Sequence, residues 1–203
     1  MFWKSMGLLP AKKKNPHTEL DYKFLGVIIM VNELLIPLVY MGITFTEIPN
    51  ETTLFYELGN CTCECPGCHS PELWVGSGAS KNATVKEILD IYDAHKEFIT
   101  AVLFMGGNRN GIDFKKFLEE VVKPIHYDVP VGIYLGDFNT NDFTMAAKYC
   151  RWIKVGKYNQ HLGGLDSKLT NQVFCEVQNY KFIKEWLDES SVYINCPATL
   201  QLL

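Results

Sequence analysis

TLFYELGNCTCECPGCH, residues 53 to 69, runs from a β-type segment directly into four cysteines and a histidine. TLFYEL (53 to 58) has the apolar, aromatic content of a strand, so the cysteines stand in a loop at a strand's carboxyl end. ITFTEI (43 to 48) reads as the strand before it. Beyond the loop, Thr84 and Glu87 have the spacing of a capping box, and Val85, Ile88, Leu89 and Tyr92 then form one apolar helical face. AVLFMG (101 to 106) is apolar throughout, as a strand buried on both faces requires, and Gly106 and Gly107 close it. Asp113 is placed as an N-cap, with Phe114, Phe117, Leu118, Val121 and Val122 at helical spacing behind it. VPVGIYLG (129 to 136) predicts the next strand, a short helix follows over Phe143 to Cys150, and WIKVGKY (152 to 158) predicts another strand.

This βαβαβ alternation predicts an α/β fold with a mostly parallel sheet and right-handed crossovers, either open or curved into part of a barrel. Ligands in such folds gather at the carboxyl ends of the strands. CTCECPGC, GGNRN (106 to 110) and GDFN (136 to 139) all fall there.

The 203 residues suit one domain, and a hydrophobic content of 47% suffices for a real core. A net charge of -4 argues against nucleic acid as a partner, since that affinity rests on Lys and Arg facing phosphates. Of the seven cysteines, Cys150, Cys175 and Cys196 are widely spaced, which points to a reducing compartment rather than a disulfide framework. No secretory signal pattern opens the chain, so the cytoplasm is the expected location. FLGVIIMVNELLIPLVYMG (24 to 42) is greasy but contains Asn32, Glu33 and Pro37, and a membrane helix wants about 20 apolar residues with few charges. The stretch is expected to supply a core element or to belong to an N-terminal extension over residues 1 to 40, with the main domain spanning 41 to 203.

Thiols in a short loop can hold zinc, an iron-sulfur cluster, a reacting sulfur or nothing. Structural zinc usually draws its ligands from two knuckles, and no second pair of cysteines follows at zinc-finger spacing. A zinc site built from this loop and His69 alone would be cramped. Cys61, Cys65 and Cys68 make C-x3-C-x2-C and leave Cys63 as an extra. Three thiolates on a 4Fe-4S cluster leave one iron open, while Pro66 and Gly67 let the backbone approach the sulfurs.

C-x3-C-x2-C is the signature of radical S-adenosylmethionine (SAM) enzymes. Its continuation CPGCHSPELW resembles the activating proteins of anaerobic, glycyl-radical ribonucleotide reductases. FMGG (104 to 107), YLG (134 to 136) and KVGKYNQHLGGLDSKLTNQ (154 to 172) resemble further segments of that family, over roughly residues 41 to 177. The resemblance implies a radical-SAM-type partial (β/α) barrel. It also implies a 4Fe-4S cluster on Cys61, Cys65 and Cys68 and reductive cleavage of SAM to a 5'-deoxyadenosyl radical. The radical would act on a glycine of the anaerobic ribonucleoside-triphosphate reductase, with electrons from a flavodoxin- or ferredoxin-type donor.

Residue roles implied by the resemblance follow strand end by strand end. Gly67, Gly106 and Gly107 would let backbone approach the ligands. Asn108, standing where the family has an acid, would accept from the SAM ammonium through its side-chain oxygen. Tyr134, Gly136 and Asp137 would line the adenosine side, and Lys154 would pair with the SAM carboxylate. Cys63 is expected to be a spectator, His69 a local hydrogen-bonding residue, and Asn171 and Gln172 either partner contacts or loop caps. The alternatives are radical SAM chemistry on another target and a noncatalytic iron-sulfur or zinc module.

Overall fold

The computed structural model describes residues 33 to 178 and 193 to 195. Their strands are β1 (Leu35–Thr44), β2 (Thr53–Leu58), β3 (Lys81–Thr84), β4 (Ala101–Met105), β5 (Val131–Leu135), β6 (Trp152–Val155), β7 (Val173–Gln178) and β8 (Tyr193–Asn195). All lie in one sheet of order β3-β1-β2-β4-β5-β6-β7-β8. The pairings β2·β4, β4·β5 and β5·β6 are parallel, and the four others are antiparallel.

The expected mostly parallel sheet is therefore corrected to a mixed one: a parallel centre of four strands with antiparallel strands on both flanks. The cause lies in the connections. Each parallel neighbour is reached through a helix-bearing crossover, whereas β1 reaches β2 through residues 45 to 52, a connection short enough for an antiparallel return. The order has two ends, β3 and β8, rather than a closed ring among the described strands. The first strand also starts at Leu35 and ends at Thr44, not over 43 to 48, so part of the greasy stretch is sheet. Its earlier residues lie outside those described. No helix among the described residues is long and apolar enough to cross a membrane.

Helix α1 (Val85–His95) begins with the expected capping box. The Thr84 side chain accepts from the Glu87 N–H, and the Glu87 carboxylate accepts from the Thr84 N–H at 2.7 Å. Asp113 caps the next helical stretch by accepting from the Lys116 N–H. That stretch is α2 (Phe114–Phe117), then a π-helical segment (Leu118–Val122), then α3 (Lys123–His126). Pro124 brings no amide to the ladder, and a wide π turn ahead of it still buries Leu118, Val121 and Val122. The last helix, α4 (Thr140–Ala146), is capped by Asn139 and is shifted toward the N-terminus from the expected span.

Period-two alternation assigns the two faces of the sheet. Leu54, Tyr56 and Leu58 of β2, Val102 and Phe104 of β4, Ile133 of β5 and Ile153 of β6 pack under the helices in the main core. Tyr56 stacks on Phe104 at 5.0 Å, and Phe104 meets Phe117 edge-on at 5.1 Å. The opposite face carries a smaller cluster of Ile48, Ala101, Leu103 and Trp152, with Phe55, Met105, Tyr134 and Phe174 partly buried around it. Cys175 is disulfide-bonded, where the sequence reading expects a reduced thiol.

Candidate functional site

The cysteine loop and the glycine loop are sewn together. The N–H and the hydroxyl of Thr62 both donate to the Arg109 carbonyl, at 2.9 and 3.2 Å. Cys61 is fixed from the other side, donating to the Leu73 carbonyl at 2.8 Å and accepting from the Val75 N–H at 3.0 Å. Asn110, only 3% exposed, is the second tie. Its Nδ2 donates to the Leu58 and Gly59 carbonyls at 2.8 and 2.7 Å, and its Oδ1 accepts from the Gly107 N–H at 2.6 Å. Gly106 and Gly107 turn the chain with φ of 127° and 142°, and a Cβ on either would strike Asn110 or Phe114.

Around the sulfurs, main-chain donors separate three cysteines from the fourth. The N–H groups of Cys63 and Glu64 donate to Cys61, that of Tyr158 to Cys65, and that of Ser70 to Cys68 at 3.4 Å. A further turn bond links the Cys68 N–H to the Cys65 carbonyl at 3.0 Å. The hydrogen bond from the Cys63 side chain pulls the Cys61 thiol down to about 6, helped by those two amides and by the nearby Lys157 ammonium against the effect of burial. Cys63 itself is pushed upward, first by that same bond and then by burial. Burial raises Cys65, opposed by the Tyr158 amide. The Cys63 sulfur, hydrogen-bonded to Cys61, also abuts the end of β5, where a Cβ on Gly136 would sit 2.7 Å from it.

This donor set fits an iron-sulfur cluster: three thiols, each with an amide donor, beside a cation. Among the described residues no three His, Cys, Asp or Glu side chains surround one point closely enough to hold a single metal ion. A cubane seats each thiolate on a different iron and needs no such closeness.

The remaining expected residues divide into those on the sheet face and those in the loops. Tyr134 and Lys154 are register partners on β5 and β6, and the Lys154 ammonium lies 4.6 Å from the Tyr134 ring centroid. The Tyr134 hydroxyl donates to the Glu47 carboxylate at 2.9 Å. Burial lowers Lys154 below the ordinary lysine value, against the pull of Glu47 and Cys68. Asp137 forms a 2.8 Å ion pair with Arg109. Asn108 bridges strand ends: its Oδ1 accepts from the Gly136 N–H, and its Nδ2 donates to the Asp137 carbonyl and to Asp142, each at 3.1 Å. Gly67 packs against the side chain of Gln160. His69 meets the Tyr158 ring at 5.1 Å. Asn171 and Gln172 donate to the Lys157 and Gly156 carbonyls, holding their own loop.

Asn110, Thr62, Arg109, Lys157 and Glu47 are residues that the sequence reading missed. Asn110 alone had a local signal, being a polar residue directly before Gly111 in a glycine-rich loop. A cavity of about 340 Å³ is bounded by Pro66, residues 157 to 161 and Asn171.

No family model matches the chain, and no curated protein does. Among solved structures it is similar to QueE from Escherichia coli, at 16% identity over 74% of this chain and 70% of that one, with a TM-score of 0.46. A likeness of that size says nothing about activity.

Proposed function

We propose that the protein is a radical SAM enzyme and, within that superfamily, the activating protein of an anaerobic ribonucleoside-triphosphate reductase. The observation that carries the superfamily reading is the amide-ringed set of Cys61, Cys65 and Cys68 at the carboxyl ends of parallel strands, tied to a glycine loop by Thr62 and Asn110. The narrower reading rests on the resemblance of CHSPELW and GGLDSKLTNQ to that family.

In this reading the bound cluster and SAM supply reductive bond cleavage and hydrogen-atom abstraction, which no amino-acid side chain of the chain provides. The protein's residues hold and orient. The three thiolates bind irons, and the amides of Cys63, Glu64, Tyr158 and Ser70 stabilise their negative charge. Gly106 and Gly107 let Asn110 and Phe114 pack against the end of β4, which sets the glycine loop beside the cysteines. Lys154, desolvated over Tyr134, offers an ammonium to a carboxylate. Asp137, held by Arg109, would offer a carboxylate to a ribose hydroxyl. The glycine of the reductase is the substrate, and a flavodoxin- or ferredoxin-type protein is the electron donor.

The test is anaerobic reconstitution with iron and sulfide. The expected product carries one 4Fe-4S cluster whose spectrum changes on adding SAM. Cys61→Ala, Cys65→Ala and Cys68→Ala should each abolish it, while Cys63→Ala retains it. Mixing with a glycyl-radical reductase and reductant should then produce a glycyl radical by paramagnetic resonance. One zinc per chain and no sulfide-bridged iron would defeat the superfamily reading, and SAM cleavage without a glycyl radical would defeat the narrower one.

A further inference from the structure

The connection from β6 to β7 lies against the cysteine turn. The Tyr158 N–H donates to Cys65, the Tyr158 ring meets His69 at 5.1 Å, and the Gln160 side chain packs on Gly67. Lys157 stands directly before Tyr158 and shares the wall of the 340 Å³ cavity with Pro66.

This loop is also held from behind. Gly156 turns the chain with a φ of 110°, and a Cβ there would sit 2.9 Å from the Asn171 carbonyl oxygen. The buried Gln172 donates from its side chain to the Gly156 carbonyl at 3.1 Å, and Asn171 donates to the Lys157 carbonyl at 2.9 Å. Bonds to residues 156, 157 and 158 therefore fix the main chain from which the Lys157 side chain departs.

The Lys157 ammonium has no hydrogen-bond or ion-pair partner among the described residues. Its charge is felt by the thiols of Cys61, Cys63 and Cys65 alike, whereas Cys68 and Lys154 act on each other. A thiolate-bound cluster becomes more negative by one charge when it takes up an electron, so a fixed cation beside it favours the reduced state. The amides of Cys63, Glu64, Tyr158 and Ser70 reach the sulfurs through hydrogen bonds. Lys157 adds a full charge that no carboxylate has already neutralised. Its side chain is exposed, so water weakens the effect without removing it.

We infer that Lys157 is a positioning residue for electron entry: its ammonium, set beside the cysteine turn by Asn171 and Gln172, raises the reduction potential of the cluster that Cys61, Cys65 and Cys68 hold. The inference rests on the radical SAM reading above and concerns the step before SAM is cleaved. One electron leaves the flavodoxin- or ferredoxin-type donor and enters the cluster, and no bond forms or breaks in that transfer. Lys157 lowers the demand placed on the donor.

The experiment is a redox titration of the reconstituted protein without SAM, with dithionite and mediator dyes, read by paramagnetic resonance of the reduced cluster. Lys157→Gln should lower the midpoint so that the reduced-to-oxidised ratio at a fixed potential falls about three- to tenfold, tenfold being about 59 mV for one electron. Lys157→Glu should lower it further, and Lys157→Arg, which keeps the charge, should stay at the wild-type value. Iron and sulfide content should be equal in all four proteins. A single midpoint across the series, or an Arg variant as low as the Gln variant, would overturn the inference, because charge would then not be the cause. Loss of the cluster from Lys157→Gln would also overturn it, by making the lysine part of cluster assembly. Wild-type protein that takes up zinc and no sulfide-bridged iron would bring down the underlying reading, and this inference with it.

Discussion

Strand β2 places Leu54, Tyr56 and Leu58 under helices and Phe55 and Glu57 on the opposite side, so six consecutive residues serve two different environments. On the helix-covered side the large residues are fully buried and meet aromatic partners, as Tyr56, Phe104 and Phe117 do. On the other side Tyr134, Lys154 and Glu57 remain partly exposed, and two of them carry charge. Period-two alternation gives one strand a fully buried face and a partly exposed, charged one, without a separate domain for either.

The strongest way to break that contrast is to truncate a large residue on each side. Phe104→Ala should cost about 3–5 kcal/mol in denaturant unfolding, because a filled site stacked between two rings cannot collapse. Tyr134→Ala should cost clearly less, its ring being only partly buried. Equal costs would mean that both faces are structural.

Next in size is Asn110→Ala, which removes three hydrogen bonds from a buried position and leaves the Leu58 and Gly59 carbonyls and the Gly107 amide to find other partners. The expected loss is about 3 kcal/mol, with poorer cluster uptake at a temperature where the variant is still folded. Full uptake would show that the two loops do not need this tie.

Lys154→Met sharpens the comparison through pH. The folded state lowers the Lys154 pKa below its ordinary 10.5, so the charged form penalises folding and the whole penalty is present below the lowered value. As pH rises from that value toward 10.5 the unfolded chain holds the proton better than the folded one, and wild-type stability rises relative to the variant. The variant should therefore be the more stable near pH 7, with a gap that closes toward pH 10 in parallel denaturation series. A gap independent of pH would assign the effect to packing.

The smallest effect is expected at Thr53, whose buried hydroxyl has no partner among the described residues. Thr53→Val keeps the shape and should raise stability by about 1 kcal/mol. A loss of that size would reveal a partner for the hydroxyl.

Local patterns were legible from the sequence because their physics is local. The capping box at Thr84 and Glu87, the Asp113 cap and the apolar runs of β2, β4, β5 and β6 each depend on neighbours within a few positions. The cysteine spacing likewise marked the loop that the fold brings to the strand ends. The antiparallel flanks were not legible, because β1 must find β3 across some forty residues of chain. The same holds for Asn110, bonded to Leu58 and Gly59 more than fifty positions away. It also holds for Asn108, whose braces to Gly136 and Asp142 exist only once the crossover from β4 to β5 has formed. The sequence shows a side chain's chemistry but not whether the fold has already used it.

Leu38 pairs with Leu58 on one side and with Lys81 on the other, and the Gly59 N–H donates to the Pro37 carbonyl at 2.6 Å. Both ends of the cysteine segment, residues 59 to 80, are therefore pinned to a single strand, and ring closure of that segment is a cost the sheet already bears. In polymer terms the segment is a preformed loop, whose further lengthening is inexpensive: doubling a flexible loop costs only about 0.6 kcal/mol. Gly76 and Gly78, with no atom within 4 Å of where a Cβ would stand, mark the place where added residues meet no obstacle. An insertion there should leave the register of β3 intact, so the cysteine segment behaves as a cassette that can be resized without refolding its frame.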